Sequence, residues 1–173
     1  MKEMSSHDPN MVTLRRATQA DGTLLSNLLE LYIHDLSDIF ALKPGQDGRF
    51  GYDKLPLYWS EPTRRTAHLI QCGAEVAGFA LVTRGSPAGT ADDWDMGEFF
   101  VLRAYRRSGI AIRAATMIWE CTPGSWIVRV SERNIAALRF WEKAVKGYTR
   151  GAYSSREYPG AAHKFRVFEF ATA

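Results

Sequence analysis

VLRAYRRSGIAIRAA (residues 101–115) joins an apolar strand end to a basic turn and then to an apolar-periodic run. After Gly109, residues Ile110, Ala114, Met117, Ile118 and Cys121 recur on one side, which is the spacing of a helix. The first backbone N–H groups of a helix have no intrahelical partner, and its aligned peptide dipoles favour an anion there. Glycine has no side chain to hold such an anion off. RRSGIA (106–111) therefore reads in one of two ways. It is a phosphate seat, where the N–H groups of residues 107–111 converge on a pyrophosphate and Arg106 and Arg107 add charge-assisted contacts. Otherwise it is an ordinary basic start to a helix. The Lys-Ser/Thr ending of a Walker loop is missing, and so is the G-x-G-x-x-G spacing of a dinucleotide fingerprint.

Working outward, VTLRRA (12–17) alternates as a short strand, and Thr18 or Asp21 can cap the helix that follows, with Leu24, Leu28, Leu31 and Tyr32 on its apolar face. PGQDGRFGYD (44–53) is a loop by composition, with a short irregular helical segment expected on either side. AHLIQCGAEVAGFALV (67–82) predicts a hairpin that turns at Gly73-Ala74. GSPAGTADD (85–93) reads as a flexible connection and MGEFFVL (96–102) as a strand. A helix from Gly109 to Thr122 stops at Pro123-Gly124, and WIVRVS (126–131) is the next strand. NIAALRFWEKAVKGY (134–148) contains a second clear helix capped by Asn134. YTRGAY (148–153) and KFRVFEF (164–170) read as closing strands. The result is an α/β (α+β) domain over residues 11–173, with residues 1–10 as a mobile polar tail.

With 173 residues and 46% hydrophobic composition, the chain can bury a core without disulfides. Its two cysteines, Cys72 and Cys121, lie far apart in apolar sequence and are read as buried free thiols. No stretch reaches about 18 apolar residues, so no membrane partner is expected, and the amino terminus lacks a targeting pattern. A cytoplasmic location is the expectation. The net charge of +3 is modest, because 19 acidic residues offset the basic ones, which disfavours a nucleic-acid partner. The distribution is more telling, since Arg103, Arg106, Arg107 and Arg113 cluster around the opening motif. That suits a compact anionic partner better than a long duplex.

The opening stretch resembles the central motif of the GNAT superfamily, the acyl-CoA-dependent N-acyltransferases. That motif is Arg or Gln, two residues, Gly, one residue, then Gly or Ala, matched here by Arg106, Gly109 and Ala111. LRRATQAD (14–21) resembles the family's opening strand and helix cap, and GAEVAGFALV (73–82) its second and third strands. NIAALRFWEKAVKGY resembles its fourth helix through Asn134, Ala137, Phe140, Lys143 and Gly147. Order and spacing agree over residues 12–150. The resemblance implies a GNAT-type fold, a mixed and mostly antiparallel sheet of about six or seven strands flanked by about four helices. It implies acetyl-CoA (coenzyme A) as cofactor, direct acetyl transfer to a primary amine of a small molecule or peptide, and no metal.

That chemistry needs a base, because an alkylammonium with a pKa of ~10 cannot attack. Glu98 is the first base candidate; the alternatives are a carboxylate paired with a neighbouring arginine and a solvent-exposed one. Developing negative charge on the thioester oxygen would meet a backbone N–H, that of Val101 or Leu102. The cofactor would contact Arg106, Arg107, Ser108, Gly109, Ile110 and Ala111, with Asn134 facing its arm and Trp141 flanking it, while Phe140 is read as core. Many family members have a tyrosine acid where this chain has Trp141, and indole only donates a hydrogen bond. Tyr148 is carried as the catalytic substitute, with Tyr153 and Ser131 as alternatives. On the acceptor side, Tyr32, Asp35 and Tyr58 are the binding candidates, in a region that also holds His34, Asp38, Tyr52 and Trp59. An acidic, aromatic mouth would attract a cationic amine. The competing reading is a noncatalytic acyl-CoA sensor, and either a monomer or a homodimer is compatible with the sequence.

Overall fold

Residues 8–173 are described by the structure, a computed structural model. The expected tail falls mostly on residues 1–7, outside the described residues; Pro9–Met11 form a single 3-10 turn capped by the Asp8 carboxylate. Strand β1 (Val12–Arg16) leads into helix α1 (Gly22–Phe40), and the short helix α2 (Leu57–Ser60) follows the glycine-rich loop. Next come β2 (Arg65–Cys72), β3 (Glu75–Arg84) and β4 (Trp94–Val101). Helix α3 (Ile110–Cys121), β5 (Gly124–Ser131) and helix α4 (Ile135–Thr149) precede the last pair, β6 (Ser154–Pro159) and β7 (Lys164–Thr172). All seven strands form one sheet in the order β1-β2-β3-β4-β5-β7-β6.

Every neighbouring pair is antiparallel except β4 and β5, so the sheet is mixed and mostly antiparallel. The hairpin turns at Gly73-Ala74, where Gly73 takes φ +61°. A close approach is required at Gly78, because a Cβ there would lie 2.0 Å from the Phe100 carbonyl oxygen. The two faces of the sheet carry separate cores. Leu25, Leu28 and Leu29 of α1 pack on Leu69, Phe79, Leu81 and Phe100. On the opposite face, Trp119 of α3 and Trp141 of α4 pack with Trp126 and Phe170. Ile110 and Ile118 are completely buried, a gain of about 1.5–3 kcal/mol each.

Three expectations are corrected. YTRGAY is no strand: Tyr148 and Thr149 finish α4, and Arg150 (φ +53°) and Gly151 (φ +86°) turn left-handed, which a strand cannot accommodate. The strand starts at Ser154, on an almost wholly exposed edge without the alternation that would reveal it. The 85–93 connection is tied down: the Ser86 hydroxyl donates to the Asp95 carboxylate, Arg156 donates to the Ala88 carbonyl, and the Tyr158 hydroxyl donates to the Pro87 carbonyl at 2.9 Å. Of the two free thiols, Cys72 is buried and Cys121 exposed.

Candidate active site

The site begins with an irregularity in β4. Glu98 pairs with Leu81 and Met96 with Val82, so Gly97 is an extra residue, a bulge. Strict alternation would place Glu98 on the same face as Met96, among the tryptophans. The bulge turns it to the α1 face instead, where the Tyr32 hydroxyl donates to one carboxylate oxygen at 2.7 Å and the Tyr52 hydroxyl to the other at 3.1 Å. Burial raises the Glu98 carboxyl above its ordinary range, more than these hydrogen bonds lower it. The same burial, with the Glu98 charge beside them, holds Tyr32 and Tyr52 well above a free phenol and pushes Tyr58 up to about 12. The three phenols thus stay protonated, and two of them, Tyr32 and Tyr52, donate to the carboxylate.

The second irregularity is the joint between β4 and β5. Each strand has eight residues, yet only Trp94 and Asp95 pair, with Trp126 and Ile127. Beyond that point the strands diverge. A groove of about 580 Å³ lies on the β4 side of the opening and runs from Tyr32 and Asp35 of α1, past Phe99–Val101, to Asn134, Phe140 and Trp141. The Leu102 N–H donates to the Ala77 carbonyl at 2.8 Å, towards β3. Successive N–H groups of a strand point to opposite edges, so that of Val101 faces the opening. Of the two backbone donors read from the sequence, Leu102 is therefore committed elsewhere.

At the outer end of the groove sits the basic turn. Arg107 (φ +64°) and Gly109 (φ +89°) are both left-handed, and Gly109 is the N-cap of α3, with no side chain capping the helix. Pro9 packs against Gly109, 3.2 Å from where a Cβ would stand. Arg107 and Ala111 line the groove, while the Ser108 hydroxyl donates to the Tyr105 carbonyl at 2.7 Å. Ile110 is fully buried, so only its backbone can serve a ligand. A left-handed glycine, an uncapped helix start and an adjoining groove fit a phosphorylated cofactor. Arg106 lines the groove too, and it donates to the Val101 carbonyl at 2.7 Å and to Asp35 at 2.5 Å. Arg103 also bonds Asp35, at 2.7 Å.

Those arginines settle Asp35 as well. Burial would raise its carboxyl, but the hydrogen bonds from Arg106 and Arg103 outweigh this and hold it low. It is an ion-pair partner facing the groove and does not line the pocket beside Glu98. Tyr148 is also elsewhere, its ring 5.0 Å from Trp119 and 6.3 Å from Phe170. Of the alternatives, Tyr153 packs on Phe168 and the Ser131 oxygen accepts from the Arg133 N–H. Trp141 is buried against Phe99, with ring centroids 5.1 Å apart, and still lines the groove. Asn134 caps α4 by accepting from the Ala137 N–H at 3.1 Å and lines it too.

Glu98 also borders a second pocket of about 450 Å³, with Tyr52 and Tyr58. Tyr32, which faces the groove, hydrogen-bonds Glu98, which faces the pocket, so this pair forms the shared wall. The pocket's basic lining was not anticipated, because Lys54, Arg64, Arg65, Arg84 and Arg129 come from separate segments. Among the described residues no group of three or more His, Cys, Asp or Glu side chains is placed to hold a metal, and no helix is long and apolar enough to cross a membrane.

No protein-family model matches the chain, and no curated protein matches it. Solved structures do. An acetyltransferase from Thermus thermophilus aligns with a TM-score of 0.67 at 16% identity, over 93% of this chain and 97% of that one. Spermidine N-acetyltransferase from Vibrio cholerae, solved with CoA and spermine, aligns at 0.65 with 9% identity, covering 94% and 96%. A GNAT-family acetyltransferase from Bacillus cereus aligns at 0.59 with 12% identity, covering 94% and 99%. The seven-stranded mixed sheet, its divergent joint and these end-to-end alignments agree: this chain has the GNAT acetyltransferase fold.

Proposed function

We propose that the protein is an N-acyltransferase that moves an acetyl group from acetyl-CoA directly to a primary amine. The observation that carries this reading is the shared wall: Glu98, held by Tyr32 and Tyr52, stands between a groove that ends at an uncapped glycine helix start and a separate pocket for a second substrate. Two substrates meeting at one carboxylate is the arrangement a direct transfer needs. Bound acetyl-CoA supplies the activated thioester. The N–H groups at the start of α3 and Arg107 would hold its phosphates, and Asn134, Phe140 and Trp141 would border its arm. Glu98 takes the proton from the amine, and the burial that raises its pKa makes it a stronger base than an exposed glutamate. The Val101 N–H, facing the opening, would donate to the oxygen on which charge develops. With Tyr148 and Tyr153 packed into the core face, thiolate departure has no dedicated acid at either place.

Calorimetric titration with acetyl-CoA tests the cofactor half, with Ala111→Glu as control. That change sets a carboxylate in the groove without altering a left-handed residue. Micromolar binding by the native chain, lost in the variant, is expected. Thiol release with an amine panel tests the transfer half and separates an enzyme from a noncatalytic acyl-CoA sensor, which would bind without turnover. A native chain that binds no acetyl-CoA would overturn both.

A further inference from the structure

Five cations line the pocket beside Glu98: Lys54, Arg64, Arg65, Arg84 and Arg129. Glu98 is the one acid among its lining residues. Three of the cations are engaged, Arg65 with Glu61 at 2.8 Å, Arg129 with Asp95 at 2.8 Å, and Arg84 with the exposed Asp92 at 3.4 Å. Among the described residues no carboxylate pairs with Lys54 or Arg64. Arg64 is anchored all the same. Its carbonyl accepts from the Arg84 N–H at 2.6 Å, and its guanidinium lies against Gly85, 3.3 Å from where a Cβ would stand. Gly85 also takes φ +92°, which favours a residue with no side chain at this wall.

A concave site with uncompensated positive charge repels a polycation and attracts an anion. Resting on the transferase reading, we propose that the acceptor is an amine that also carries an oxyanion, a carboxylate or a phosphate, which Lys54 and Arg64 hold while the amine reaches Glu98. The charges then match throughout. The oxyanion meets two cations with no salt-bridge partner among the described residues, and the amine meets the single carboxylate, on which the Lys54 charge also acts. Arg65, Arg84 and Arg129 keep their own partners and add a positive background. In the reaction the amine nitrogen forms the amide bond as the thioester C–S bond breaks; the amine's proton passes to Glu98 and the electron pair leaves on the thiol sulfur. The anion stays unchanged and serves to position the amine.

The test compares three acceptors of equal chain length with saturating acetyl-CoA: a diamine, an amino carboxylate and an aminoalkyl phosphate, at several lengths. Thiol release is followed in the native chain, Arg64→Ala and Lys54→Ala. Both positions are exposed, so the fold should survive, as a thermal melt checks. The anionic acceptors should turn over, with the better of the two naming the anion. Each variant should raise KM for it about tenfold or more, with kcat and the acetyl-CoA KM little changed. Preference for the diamine, or an anionic acceptor whose KM neither variant moves, overturns the proposal and leaves the transferase reading standing. If no acceptor turns over but calorimetry finds the anionic amines bound and both variants weaken them, the oxyanion site stands and the transferase reading falls. Neither turnover nor binding overturns both.

Discussion

Tyr32→Phe removes one hydroxyl and leaves the ring, which packs 5.8 Å from both Phe79 and Phe100. The lost group is the 2.7 Å donor to Glu98. A hydrogen bond to a charged group contributes about 1.5–3 kcal/mol, and one pKa unit corresponds to about 1.4 kcal/mol. The donor favours the ionised carboxylate, so its loss moves the Glu98 pKa upward by about one to two units on the same scale. Only the ionised form takes a proton from the amine. The acid limb of kcat, which in the native chain should lie above the 4.5 of an ordinary glutamate, therefore moves to higher pH by that amount. The high-pH plateau should change little, because the base persists and is stronger. Tyr52→Phe, which removes the longer 3.1 Å bond, should move the limb the same way by less. Glu98→Gln should abolish the limb and lower kcat by about 10²–10⁴. The assay is thiol release across the pH range with both substrates saturating. A limb that stays in place in Tyr32→Phe, or moves to lower pH, would refute the assignment of Glu98 as base.

Ala111→Glu should abolish acetyl-CoA binding in calorimetry with an unaltered melting temperature, since Ala111 is only half-buried. Gly78→Ala should destabilise the chain by about 1–3 kcal/mol, because its new Cβ collides with the Phe100 carbonyl. For a chain of this size that lowers the melting temperature by roughly 2–12 °C, read by calorimetric scanning. Asp35→Asn should lower stability at neutral pH. The folded Asp35 pKa is depressed, so its contribution is complete above the ordinary carboxylate value of 3.8 and fades as pH falls through the folded value. Denaturant melts of the two proteins should therefore differ at pH 7 and converge in acid.

Much of the fold was legible because its signals are local. The helix period after Gly109, the Asn134 cap and the Gly73-Ala74 turn each depend on a few adjacent residues, and each appears where the sequence placed it. β6 was missed because an edge strand exposed on both faces has no alternation to show. The partners of the acceptor-side candidates were hidden for another reason. Asp35 looked available for a cation until the fold brought it to Arg103 and Arg106, about 70 positions along the chain. The five pocket cations lie on segments that only the sheet gathers. The Gly97 bulge carried a faint signal, a glycine inside a strand, but the face to which it turns Glu98 depends on pairing with β3.

The short pairing of β4 with β5 divides the sheet mechanically as well as chemically. β1 to β4 form one antiparallel panel, β5 to β7 another, and the ladder between them is only two residues long. At the closed end, buried Asp95 of β4 reaches across to Arg129 of β5, a rivet whose rupture would strand a charge in the interior at about 3–5 kcal/mol. Beyond it no ladder hydrogen bonds tie the two strands, and the panels are held there by side-chain packing, as where Phe99 of β4 meets Phe140 and Trp141 of α4. A ligand seated along the open edges would act as a strut. Part of its binding energy would then appear as stiffness of the whole domain, and the empty and loaded protein would differ less in shape than in how readily this joint opens.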